Sequence, residues 1–268
     1  MGSRGEAYSL GTAASEAGYR LETQAEVSST FDVALARARE GEASRLWIVA
    51  QSQTQGRGRH GRSFLSPAGN LYASLLLVEG CRRGDAPELG FVAGLALFDA
   101  ASALTGLDHP RLSLKWPNDL LVDGKKCAGL LLEGHQLPHG VFVLIIGIGV
   151  NVVAVPTTLP EATMLARFAS DATAERLFLL LSDAFARRFS DWAEAPPGSQ
   201  AHFAAWAERA HGLGARVRVK MPKGEVIGLF RGLDRGRLLL DTQQGLEKLD
   251  AGDLYVLDAP EPSQGRVA

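Results

Sequence analysis

The chain is poor in cysteine, lacks a long uninterrupted apolar run and carries no excess of positive charge. Two cysteines, Cys81 and Cys127, occur in 268 residues. Two thiols build neither a disulfide framework nor a cysteine metal cluster, and so few of them fit a reducing compartment. The most apolar stretch, residues 141–155, is broken by Gly147, Gly149 and Asn151 and is too short to span a bilayer. Residues 1–20 contain no apolar segment of the kind a secretory signal needs. Glu6 stands where a myristoylation pattern requires Ser or Thr. A formal net charge of −2 argues against a general nucleic-acid binder. The histidines show no metal-ligand spacing, and the chain has no internal repeat. What remains is a cytoplasmic globular protein of one large domain or about two, with enough apolar residues for a substantial core.

Against this background one stretch stands out: Gly56-Arg57-Gly58-Arg59-His60-Gly61-Arg62. Glycines let a backbone turn sharply and approach a ligand closely. Arginines present fixed forks of donors that match phosphate and carboxylate oxygens. The loop follows the apolar run Leu46-Trp47-Ile48-Val49-Ala50, a buried strand. It lacks the Gly-Lys-Ser/Thr ending of a P-loop and the following helix of a dinucleotide fingerprint. It reads as an anion-binding loop fed by a strand, set against the plainer possibility of a solvated basic loop.

Elsewhere the periodicities are clear. Residues 1–20 read as a disordered lead-in. Ser28-Ser29-Thr30 precedes an Ala-rich helix, where hydroxyls are wanted at an N-cap. Residues 70–78 form a strand, 87–106 a helix stopped by Gly106, and 173–193 a helix broken by Pro196-Pro197-Gly198. Ser199 is placed as the cap of a further helix running to Ala210. Short strands over 111–116 and 120–122 lead to Asp123-Gly124, a two-residue hairpin signal, and 125–133 returns. Residues 141–152 form a long apolar strand. From Gly212 short β segments alternate with Gly and Asp turns, which fits a small barrel or sandwich.

Three further clusters could carry chemistry. Lys115-Trp116-Pro117-Asn118-Asp119 projects an amide and a carboxylate from a turn after a strand. The hairpin brings Lys126 back toward Asp119, and a lysine there is a point charge for a reacting carboxyl–phosphoryl centre. Gly147-Ile148-Gly149-Val150-Asn151 places two glycines on one face of a strand, leaving room against it. Cys127 reads as a small core residue without a histidine partner.

In this order the clusters resemble the biotin protein ligase family, over residues 22 to 258. Segments 56–61, 115–119 and 126–133 (Lys-Cys-Ala-Gly-Leu-Leu-Leu-Glu) carry the resemblance. It implies an α+β fold: a mixed-sheet catalytic domain of the class II synthetase-like biotin/lipoate ligase type, then a small C-terminal SH3-like β-barrel. The divisions are 1–21, a disordered lead-in, 22–211, the catalytic domain, and 212–268, the barrel. The implied reaction joins biotin and MgATP into biotinyl-5′-AMP, then passes the biotinyl group to a lysine of a biotin carboxyl carrier protein of the acetyl-CoA carboxylase type.

The resemblance also implies roles. Lys126 bridges the biotin carboxylate and the α-phosphate. Arg59 stabilises the departing pyrophosphate and shields the intermediate. Asp119 orients the incoming lysine or holds Mg2+ that arrives with ATP. Biotin falls to Ser29, Thr30, Gln53, Gly56, Arg57, Gly58, Lys126, Gly129, Gly147 and Gly149. ATP falls to Arg59, Arg62, Phe64, Lys115, Asn118 and Asn151. The chain departs from the family at Phe31 (commonly Asn), Gln55 (often Ala), His60 (commonly Arg) and Phe64 (commonly Trp). The segment before residue 22 is too short for a helix-turn-helix domain, so no DNA binding is expected, and no membrane association. A homodimer through the catalytic sheet is expected. Two other readings are a lipoate ligase or octanoyltransferase, distinguished by substrate and, for the transferase, by a catalytic cysteine, and a regulator that binds ligand without turnover.

Overall fold

The computed structural model describes residues 7–61, 64–78, 83–84, 86–156, 161–196 and 199–257. Seven strands form the main sheet: β1 (Arg20–Val27), β2 (Leu46–Gln53), β3 (Leu71–Leu77), β4 (Leu112–Lys115), β5 (Asp119–Val122), β6 (Lys125–Gln136) and β7 (Phe142–Val150), in the order β1-β2-β3-β7-β6-β5-β4. β1 and β2 run parallel and every other pair is antiparallel.

Alternation along the central strands assigns each face its cover. Ala73 and Leu75 of β3 and Ile146, Ile148 and Val150 of β7 point to one side. There they meet two long helices, α3 (Ala86–Thr105) and α4 (Ala174–Glu194). The apolar length of α3 would suffice for a membrane span, yet Leu89, Val92, Leu95, Leu97 and Phe98 are buried in this core. Leu76 of β3 and Val143 and Ile145 of β7 point the other way and meet Phe31, Ala34 and Ala38 of α2 (Thr30–Arg39). That helix covers part of the face. Beyond Ile145 the next two residues of this register are Gly147 and Gly149, and there the face opens.

The unstructured lead-in expected through residue 21 is not what is found over 7–21. A short helix, α1 (Thr12–Glu16), precedes β1, and Ala14 and Tyr19 are buried. The reason is a partner far along the chain. Asp183 of α4 accepts from the Ala13 and Ala14 amides at 2.7 and 3.3 Å, and Ser182 Oγ accepts from Gly11 N at 2.9 Å. These bonds supply the N-terminal capping that the local sequence lacks. The helix after α4, α5 (Ala201–Ala207), has Gln200 rather than Ser199 at its N-cap and ends short of Ala210.

Five strands follow: β8 (Arg216–Met221), β9 (Gly224–Asp234), β10 (Arg237–Thr242), β11 (Gly245–Leu249) and β12 (Asp253–Val256). Their order is β11-β10-β9-β8-β12, antiparallel throughout. These five strands form the small antiparallel β unit expected after residue 211. β11 and β12 span five and four residues, and among the described residues no ladder joins them. Trp116 anchors this sheet to the first by donating from Nε1 to the Gly236 carbonyl at 3.2 Å. Leu114 also exchanges backbone bonds with Arg209 and His211, at 2.8 Å each.

One buried side chain ties the rim of the open face together. Asn70, 1 % exposed, accepts from the amides of Val152, Val153 and Ala154 at 2.9–3.0 Å and donates to the Ala154 carbonyl at 2.9 Å. Removing it strands several buried backbone groups. Asn70→Ala is expected to cost roughly 2–4 kcal/mol in urea unfolding; a loss below about 0.5 kcal/mol would show that the turn holds itself.

Candidate active site

The open face carries a cavity of about 400 Å3. Its floor is Gly147 and Gly149 of β7 with Tyr72 and Ser74 of β3, paired in register as Ser74–Gly147 and Tyr72–Gly149. At one end lies a hydroxyl and amide cluster. Ser29 is the N-cap of α2 and accepts from Phe31 N at 3.2 Å. Gln53 Oε1 accepts from Thr30 N at 2.9 Å and from Thr30 Oγ1 at 3.2 Å. Gln53 Nε2 donates to Ser66 Oγ at 3.0 Å, and Ser66 Oγ donates to the Phe64 carbonyl at 3.2 Å.

The glycine–arginine loop starts as a tight backbone approach. Phe64 N donates to the Gly56 carbonyl at 2.8 Å. A Cβ on Gly56 would lie 2.3 Å from the Phe64 carbonyl oxygen, so only glycine fits. The Phe64 ring lies over Gly149, whose added Cβ would come within 2.5 Å of it. The clearance expected above Gly149 is thus occupied by this ring. The Arg57 guanidinium pairs with Asp32 at 3.0 Å and Glu133 at 3.3 Å and sits 4.9 Å over the Phe31 ring. Phe31 therefore gives the loop a platform where the family commonly has Asn. Gly58 lines the cavity. Arg62 lies outside the described residues, as does the side chain of His60.

The opposite end is charged. Asp123 and Gly124 take positive φ values of 49° and 74°, the conformation of a type I′ turn. The hairpin they close returns Lys126 to Asp119, with Nζ 2.6 Å from Oδ1. A bulge between Leu120 and Leu121 accommodates the return. Gly129 stands beside the pair, and a Cβ there would lie 3.3 Å from Lys126 Nζ. The lysine side chain is 45 % exposed and the carboxylate 18 %, so the pair orients the ammonium more than it stabilises the fold. Asn118 donates from Nδ2 to the Leu130 carbonyl and accepts from Arg59 at 3.1 Å. Lys115 Nζ rests 5.1 Å from the Tyr255 ring.

Most of the expected residues line this cavity, but Gly56 and Asn151 do not. β7 ends at Val150, so Asn151 leaves the glycine register. Its side chain, 7 % exposed, donates to the Thr163 carbonyl at 3.2 Å. Among the lining residues that were not anticipated are Tyr72, Ser74, Asp253 and Tyr255. The first two alternate along β3 opposite the glycines and could have been read from the strand pattern. Asp253 and Tyr255 come from β12, and Asp253 lies 3.6 Å from Arg59. No local signal announces them.

Comparison with known proteins agrees with this geometry. Residues 24–151 match the biotin/lipoate A/B protein ligase family, and residues 212–257 match the biotin protein ligase C-terminal domain. A biotin--[acetyl-CoA-carboxylase] ligase of Mycobacterium tuberculosis is 36 % identical over 248 residues, covering 89 % of each chain. One from Paracoccus denitrificans is 34 % identical over 220 residues, covering 78 % of this chain and 89 % of that protein. The chain belongs to the biotin/lipoate A/B protein ligase family. Among solved structures of this family, the biotin protein ligase from Aquifex aeolicus in complex with biotin and ATP superposes with a TM-score of 0.75. It is 27 % identical, over 90 % of this chain and 99 % of that one.

Family membership sharpens two questions, metal and thiol. Among the described residues no three His, Cys, Asp or Glu side chains group together. Asp119 is engaged by Lys126, so these residues do not build a cage for Mg2+. Cys127, 1 % exposed, faces the α3–α4 core, and burial pushes its thiol up to about 12. A thiol so placed is not a nucleophile at neutral pH. The Cys127 peptide is expected to stay unlabelled by iodoacetamide at pH 8 in the native protein and to label fully in urea. Fast native labelling would reopen a transferase reading.

Proposed function

We propose that this protein is a biotin--[acetyl-CoA-carboxylase] ligase, forming biotinyl-5′-AMP from biotin and ATP and then biotinylating one carrier lysine. The observation that carries this reading is the polarity of the cavity: neutral donors and acceptors at Ser29, Thr30 and Gln53, cations at Arg59, Lys115 and Lys126. A cyclic urea suits the first end and a carboxylate facing phosphates suits the second.

In the first step a biotin carboxylate oxygen attacks the α-phosphorus of ATP. The new P–O bond replaces the bond to pyrophosphate, which departs with its electron pair. Lys126 supplies positive charge where carboxylate and phosphate oxygens crowd, and Arg59, braced by Asn118, faces the leaving group. Arg62, Lys115, Phe64 and Asn151 belong to the nucleotide side in this reading, and Asn151 N donates to the Cys127 carbonyl at 2.8 Å. In the second step a neutral lysine amine attacks the acyl carbon, the bond to AMP breaks, and the amine loses a proton. In this reading Asp119 orients that amine. A neighbouring cavity of about 920 Å3 shares Arg59, Asn118 and Leu130 with the first and offers an approach from outside. Mg2+ belongs to this reading as an ion carried by the triphosphate rather than by a protein cage.

The catalytic unit is read as ending near residue 211, with the smaller sheet beyond it. Beyond Leu130, among the described residues, β6 pairs with β7 alone, and this edge suits a homodimer. The carrier is the protein partner; no DNA or membrane partner and a cytoplasmic location complete the reading.

Biotin-dependent exchange of pyrophosphate into ATP tests the reaction, with lipoate and octanoate as controls. Exchange with biotin alone is expected; exchange with lipoate, or none with bound biotin, would overturn the assignment. Lys126→Ala is expected to lower that exchange about 100-fold or more, and near-normal exchange would remove the lysine from the chemistry. Arg59→Gly is expected to release the adenylate and label bystander lysines, whereas strict carrier specificity in that variant would argue against a shielding role.

A further inference from the structure

Beyond its neck at Gly56, the glycine–arginine loop is gripped through a side chain by two separate elements. Arg57 Nη1 donates to Asp32 Oδ1 of α2 at 3.0 Å, and Nη2 donates to Glu133 Oε1 of β6 at 3.3 Å. Between these anchors the guanidinium carbon lies 4.9 Å over the Phe31 ring.

The register explains why the anchors meet. Glu133 pairs with Ile145, and Ile145 packs on α2, so the Glu133 side chain rises on the same face of the sheet toward that helix. Phe31 fills the space beneath: a Cβ on Gly147 would lie 3.5 Å from its ring. The layers are then β7 backbone, Phe31 ring and Arg57 guanidinium. A residue at position 31 without a π face would leave the guanidinium nothing to rest on. Asp32 stands in the first turn of α2, where the helix dipole favours a carboxylate. Arg57 is 39 % exposed, Asp32 44 % and Glu133 32 %, so each ion pair alone adds little to global stability. Contacts on both edges and one face of a planar group do something else. They remove its rotational freedom, and with it freedom of the backbone that carries it.

We propose that Phe31, Asp32 and Glu133 are positioning residues that latch Arg57 and hold the start of the loop against the cavity before any ligand arrives. Ordering of this segment then belongs to folding rather than to binding, which raises the fraction of protein ready for ligand. The latch stands on the geometry alone; its effect on biotin rests on the reading of the cavity as a biotin site. Opening the latch frees the loop and lets bound ligand escape sooner, although neither carboxylate contacts the ligand in this assignment.

The test is limited trypsin digestion of the ligand-free protein, with cleavage after Arg57 followed by mass spectrometry relative to an unfolded peptide of the same sequence. Wild type is expected to be cut slowly there. The double variant Asp32→Asn/Glu133→Gln is expected to be cut about fivefold faster or more, at an unchanged melting temperature. Added salt is expected to bring wild type toward the double variant and to leave the double variant unaffected, a split that general loosening of the fold would not give. Phe31→Leu, which keeps an apolar side chain without a π face, is expected to speed cleavage as well, and Asp32→Glu to retain wild-type protection. Biotin is expected to leave the double variant about fivefold faster in stopped flow. Equal cleavage of wild type and double variant would overturn the latch. Faster biotin release with unchanged cleavage would also overturn it, by giving the carboxylates a direct role at the ligand. Protection at Arg57 in a protein that binds no biotin would instead overturn the reading of the cavity and leave the latch standing, so the two failures are distinguishable.

Discussion

The site depends on a single constraint, the absence of side chains on one face of β7. Alternation sends Ile146, Ile148 and Val150 into the α3–α4 core and leaves Gly147 and Gly149 on the opposite face. Larger residues there would meet the Phe31 and Phe64 rings and fill the floor. The same strand therefore supplies the stability of one layer and the vacancy of the other. Elements that bound the cavity are held by neighbours of this strand: β3 through its ladder, α2 through its packing on Val143 and Ile145, and the rim through Asn70.

Charge is arranged around that vacancy by short-range geometry. A two-residue hairpin sets the distance from Asp119 to Lys126, and a bulge sets which side of the strand the lysine takes. Arg59 bridges Asn118 of the first sheet and Asp253 of the second. The small C-terminal sheet thus contributes to the cavity, with Trp116 and Gly236 fixing its position. Neutral recognition at one end and cations at the other allow one cavity to hold a urea ring and a reacting carboxylate at a fixed separation.

Much of this was legible residue by residue. The Ala-rich stretch after Ser29, the apolar periodicity of 87–106 and the Asp123-Gly124 turn each specify local geometry, and each element appears as read, within a residue or two. The glycines at 147 and 149 announced an open face. Asn151 continues the same spacing, but the strand has ended and its side chain bonds to the Thr163 carbonyl. The lead-in misled because α1 is capped by Ser182 and Asp183, about 170 positions away. Repeated short strands announced the small antiparallel unit but do not specify whether its first and last edges meet.

The sequence by itself determined the secondary elements, the hairpin, the glycine face and the chemical character of the loop. These follow from dihedral preferences and periodicities that act over a few residues. Tertiary structure alone decided that Asp253 and Tyr255 reach the cavity and that Phe64 covers Gly149. Such contacts join residues tens to hundreds of positions apart. They depend on how whole sheets and helices dock to bury apolar area, which no local pattern encodes.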